Sequence, residues 1–182
     1  DPRNVRFYGG KLYVVDSGNR RVLVWNQVPT VNNQAADFAI AQPDCASNVA
    51  SSSTLNKPVG IDFHDTKMFL ADSNNHRVLI WNTLPTTFGL NANVVLGQND
   101  LASSTSNLGG LSKSSLSGPR GVTTDGQKLI VSDYSNNRLL VWNTIPTTNK
   151  AVADVVIGQV DGTQNSANRL GAVSAKTLWG PI

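Results

Sequence analysis

Three stretches of this chain are near copies of one another, and the repetition narrows the possible folds more than any other feature. KLYVVDSGNRRVLVWNQVPT begins at Lys11, KMFLADSNNHRVLIWNTLPT at Lys67 and KLIVSDYSNNRLLVWNTIPT at Lys128, with starts 56 and 61 residues apart. Each follows a short segment with Pro near its start: DPRNVRFYG from Asp1, KPVGIDFHD from Lys57 and GPRGVTTDG from Gly118. Each precedes an apolar segment, ADFAIAQ from Ala36, NVVLGQ from Asn93 and DVVIGQ from Asp154, and then a polar tail. A chain of like units builds one supersecondary unit several times and buries each against its neighbours.

One unit reads as four short strands. The second and third are dense in Val, Leu, Ile, Tyr and Trp, the residues that suit a pleated sheet. Runs such as Val22-Leu23-Val24-Trp25 are apolar on both faces, as a sheet sandwiched between two others requires. All twelve acidic residues are Asp, with no Glu in the chain. Glu favours helices, whereas Asp, Asn, Ser and Gly favour turns. The expected fold is therefore all-β, with four-stranded blades of a β-propeller. Blade one spans residues 1–56, blade two 57–117 and blade three 118–179, and residues 180–182 match the opening of a fourth repeat.

The recurring pattern of a strand, Asp-x-x-Asn-x-Arg and then Val-Leu-Val-Trp-Asn resembles the NHL repeat, and the Ser-rich tail from Leu101 to Ser117 resembles a long bacterial variant of it. The likeness covers nearly the whole chain. It implies a six-bladed NHL-type propeller used as a platform for protein, peptide or glycan ligands. This chain carries three repeats. An open arc of three would expose two apolar blade faces. The expectation is a fragment of a larger propeller, or a half-ring that associates with itself. The resemblance, with the Ser/Asn-rich composition, also points to an extracellular, cell-surface or periplasmic bacterial protein.

Residues repeated in every unit read as scaffold, because a catalytic constellation is assembled once. Asp16, Asp72 and Asp133 end the second strand, and Arg21, Arg77 and Arg138 start the third, five residues on. They are expected to pair across the loop. Asn19, Asn75 and Asn136 are expected to supply a left-handed turn conformation. Trp25, Trp81 and Trp142 are expected to pack between blades with their indole N–H groups satisfied locally.

Function is then sought where the repeats differ. Arg20, His76 and Asn137 occupy one loop position, and Ser17, Ser73 and Tyr134 another. A face bearing Arg20, His76 and Tyr134 is the candidate binding surface. Arg6, Asp62 and Thr123 share a position on the first strand, nearest the axis, where Arg6 and Asp62 could pair or meet a ligand.

Other classes fit poorly. The net charge is +3, but the basic residues are scattered, with Arg20-Arg21 the one adjacent pair, so nucleic-acid binding is not expected. No run approaches the ~18 apolar residues of a membrane span. With two histidines, His64 and His76, in different parts of the repeat and no Glu, neither a His-rich zinc site nor a lactonase-like calcium site is expected. No nucleophile elbow occurs, Gly109-Gly110 lacks the ending of a phosphate loop, and the lone Cys45 reads as a bystander. No cofactor is expected. The competing reading is a fragment of a lyase- or lactonase-like propeller enzyme whose site further blades complete.

Overall fold

The computed structural model describes residues 1–49, 54–89 and 92–182. These residues form three four-stranded antiparallel sheets, each of consecutive strands. The first holds β1 (Pro2–Tyr8), β2 (Lys11–Asp16), β3 (Arg21–Trp25) and β4 (Phe38–Ile40). The second holds β5 (Pro58–His64), β6 (Lys67–Asp72), β7 (Arg77–Trp81) and β8 (Val94–Leu96). The third holds β9 (Pro119–Thr124), β10 (Leu129–Asp133), β11 (Arg138–Trp142) and β12 (Val155–Ile157). Among the described residues no helix is long and apolar enough to cross a membrane.

Each sheet begins on a Pro, which is tolerated because the first strand is an edge and its missing N–H breaks no ladder. The register shifts just beyond it in β1 and β5 and at the matching place in the β9–β10 pairing. The fourth strand takes up only the centre of its segment, three residues in each sheet. Two devices stop it. The residue after the Trp donates its backbone N–H to a side chain near the start of the segment: Asn26 to Asp37, Asn82 to Asn93 and Asn143 to Asp154, at 2.7–2.8 Å. At the other end Ala41, Gly97 and Gly158 turn the chain at positive φ.

Alternation along the strands gives every sheet two apolar faces. The front face of the second sheet (Ile61, Met68, Leu70, Leu79, Trp81) packs on the back face of the first (Tyr13, Val15, Val22, Val24, Phe38, Ile40). The front face of the third (Val122, Leu129, Val131, Leu140, Trp142) packs on the back face of the second (Phe69, Ala71, Val78, Ile80, Val94, Leu96). These are the two cores. The sheets come closest at their first strands, β1 beside β5 and β5 beside β9. There Gly60 is obligatory, since a Cβ on it would lie 2.3 Å from the Arg120 carbonyl oxygen.

Candidate functional site

Each repeat spans β2–β3, β6–β7 or β10–β11 with a 3-10 turn, Ser17–Asn19, Ser73–Asn75 or Tyr134–Asn136. Asp16, Asp72 and Asp133 stand at its start, and each Oδ2 accepts twice. Arg21, Arg77 and Arg138 donate Nε at 2.8 Å. Asn19, Asn75 and Asn136 donate Nδ2 at 2.7–2.9 Å. The other oxygen anchors the last residue of the preceding unit: Asp72 accepts the Asn56 N–H and Asp133 the Ser117 N–H, both at 2.7 Å.

The guanidinium then reaches 24 residues ahead and holds the tail. Arg21, Arg77 and Arg138 donate Nη1 to the carbonyls of Cys45, Leu101 and Gly162. Arg138 adds Ser112 and Ser115, and Arg77 adds Thr54. The repeated Asp and Arg are thus occupied in closing loops. Burial pushes the Asp72 and Asp133 carboxyls up, against the pull of the paired guanidinium and the donors around each.

The Asn in this turn does not take the left-handed conformation that its residue type suggests. Its amide is held by the Asp, so the positive φ falls one residue later, on Arg20 (55°), His76 (52°) and Asn137 (52°). Gln42, Gln98 and Gln159 form a second buried tie. Each donates Nε2 to the carbonyl of that left-handed residue, at 3.0–3.1 Å, and to the tail at Val49, Thr105 or Ser166. Its signature was available, since each Gln lies 26 residues after its Asp.

The three Trp residues do not share one environment. Trp81 and Trp142 lie between sheets, 1% and 3% exposed. Trp25 is only partly covered, because the front face of the first sheet has no neighbour. Trp25 and Trp142 donate their indole N–H to the Gln34 and Ala151 carbonyls.

The variable residues sit on successive turns. Arg20 donates to Asn48 Oδ1 and borders a cleft with Asp1, Lys57 and Asn74. His76 is half-buried. Its Nδ1 accepts the Gly118 N–H at 3.1 Å, and burial holds its pKa below the usual histidine value. Tyr134 lies under the Arg120 guanidinium, 3.4 Å from ring centroid to Cζ. Among the described residues Arg6 and Asp62 do not pair: Arg6 is exposed and reaches the Val5 carbonyl, while Asp62 accepts the Thr124 N–H at 2.9 Å.

None of Arg20, His76 and Tyr134 borders the cavity at this end of the sheets. The cavity at this end, about 220 Å³, is instead bordered by three cations, Arg3, Lys57 and Arg120, with Val59, Ser73, Asn74 and Ile182. Two of these cations come from the starts of first strands, and Lys57 immediately precedes one. Sequence reading missed the group because its members lie about sixty residues apart and only sheet packing joins them. Among the described residues no three His, Cys or Asp side chains converge as metal ligands. The chain matches no family model and no curated protein.

Proposed function

We propose that the three sheets are consecutive blades of an NHL-type propeller and that the chain is a non-enzymatic interaction module. The reading rests on one contrast. The polar residues common to all repeats are occupied in loop ties, while Arg3, Lys57 and Arg120 border a cavity at one end. Arg3 is partly neutralised by Asp1, at 2.7 Å, and Arg120 is stiffened by its stack on Tyr134. Three cations around a small opening suit a partner that presents carboxylates, and an acidic peptide segment of another protein meets that need. An extracytoplasmic setting, where such modules meet surface partners, is part of the same proposal.

Binding of a labelled oligo-aspartate peptide to the full chain tests this by fluorescence anisotropy. The expected result is saturable, salt-sensitive binding that weakens about tenfold in Arg120→Ala, the loss of one charged contact. Binding that is absent, or unchanged in Arg120→Ala and Lys57→Ala, overturns the reading.

A further inference from the structure

Both contacts between sheets in this chain are made the same way, front face on back face. That leaves two unlike faces uncovered among the described residues. On the front of the first sheet Val5 and Phe7 are 57% and 64% exposed, with Leu12, Val14, Leu23 and Trp25 partly covered behind them. On the back of the third sheet Val155 and Ile157 are 44% and 45% exposed beside the part-covered Ile130 and Leu139.

The two faces correspond, position by position, to surfaces that already meet twice inside the molecule. Val5, Leu12, Val14, Leu23 and Trp25 stand where Ile61, Met68, Leu70, Leu79 and Trp81 stand in the second sheet. Ile130, Leu139, Val141, Val155 and Ile157 stand where Phe69, Val78, Ile80, Val94 and Leu96 stand. No Asp, Lys or Arg occurs in either set, so burying them strands no charge.

The backbone at the edge is prepared as well. Gly60 lets β9 approach β5 closely, and Gly121 occupies the same position on β9. The residue now resting on Gly121 is Ile182, 3.2 Å from where a Cβ would be, as Arg120 rests on Gly60.

We propose that a second copy of this chain docks head to tail, its first sheet's front face covering the third sheet's back face. The incoming β1 takes the path that Pro181 and Ile182 now begin. The contact is heterologous, so it leaves a free face at each end and propagates or closes into a ring. Docking displaces Ile182 from the rim of the cationic cavity, but Phe7 and Ile157 lie outside that rim. Variants there break docking without touching Arg3, Lys57 or Arg120, so oligo-aspartate binding and docking can fail separately.

Light scattering on the full chain over a range of concentrations, with one blocking variant for each face, tests the docking. Phe7→Asp blocks the front and Ile157→Asp the back; both sites are exposed enough to accept the change, and far-ultraviolet circular dichroism checks the fold. The wild-type chain is expected to exceed 19.4 kDa increasingly with concentration. Each variant alone is expected to stay monomeric, and their equimolar mixture to form a one-to-one pair and nothing larger. A chain trimmed after Trp179 is expected to associate at least as tightly, because the docking strand no longer displaces Ile182.

A wild-type chain that stays monomeric throughout overturns the proposal. So does either variant pairing with itself, which would mean that like faces meet. Should Phe7→Asp or Ile157→Asp lose its fold, Val5→Lys and Val155→Lys block the same faces at exposed positions and are read by the same criteria.

Discussion

The second sheet and the first carry nearly the same residues, yet only the second is buried on both sides. Its Arg77–Asp72 pair is 1% and 0% exposed along the side chains, against 15% and 12% for Arg21–Asp16. The Nε to Oδ2 distance is 2.8 Å in both. One motif with one geometry therefore works in two dielectric settings. Arg138–Asp133, 0% exposed on both side chains in a sheet with one neighbour, is as dry as the middle pair. The difference therefore follows the preceding tail, whose carbonyls at Thr54, Ser112 and Ser115 meet Arg77 and Arg138. Loss of a partner in the dry setting strands a charge, while in the wetter one water takes its place.

That contrast is most directly broken by removing the guanidinium. Arg77→Ala removes the buried countercharge of Asp72 and one donor each from the Asp72 carboxylate and the Leu101 and Thr54 carbonyls, and is expected to cost about 3–5 kcal/mol. Arg21→Ala is expected to cost about half as much, because water reaches the loop. Urea denaturation of both variants measures this, and equal losses would mean that burial does not set the strength of the motif.

The Trp position gives the next largest effect. Trp81→Ala opens a cavity between sheets and is expected to cost about 3–5 kcal/mol. Trp25→Ala removes a side chain that lacks a neighbouring sheet, and about 1 kcal/mol is expected from its smaller buried area. Thermal unfolding at low concentration separates the two. A Trp25 loss that grows with protein concentration would report head-to-tail docking instead.

A third effect sharpens the comparison between turns. His76 must be neutral at Nδ1 to accept the Gly118 N–H, and burial already lowers its pKa in the folded chain. Its folded pKa lies below the unfolded one, so its contribution is complete above about pH 6.5, the ordinary histidine value. It is lost progressively as the pH falls from there towards the folded pKa. The third repeat makes the same link with Asn137, whose Oδ1 accepts the Gly180 N–H at 2.8 Å without titrating. His76→Asn is therefore expected to keep the link and abolish this part of the pH dependence, as read by melting temperature between pH 7.5 and 5. A pH dependence that survives the substitution assigns it to other groups.

The smallest effect is a gain. Tyr13 is fully buried, and its hydroxyl finds no hydrogen-bond partner among the described residues. Phe69 and Ile130 hold the same position in the other sheets. Tyr13→Phe is expected to stabilise the chain by about 1 kcal/mol by removing an unsatisfied group. Denaturant midpoints measure it, and a loss would show that the hydroxyl makes a bond in solution.

The three-sheet layout was legible because local rules wrote it three times. Apolar runs, turn residues and Pro at each unit's start recur in register, and strands follow such patterns wherever burial is available on both faces. The Asp–Arg tie was legible because five residues across a tight turn leave the side chains little choice. The left-handed residue was misplaced by one, since residue type favours Asn while the geometry had already engaged its amide with the carboxylate. The cationic opening was not legible: Arg3, Lys57 and Arg120 are remote along the chain and meet only where first strands converge.

The sequence by itself determined the repeating unit: its strands, its turns, and the polar groups that tie each loop. Those interactions are short in range and recur wherever the same residues recur. The tertiary structure alone decided which copy of each residue is dry, which face is bare, and which cations share an opening. Burial depends on what packs alongside, and the chain's own three units give two neighbours to the middle sheet and one to each of the others.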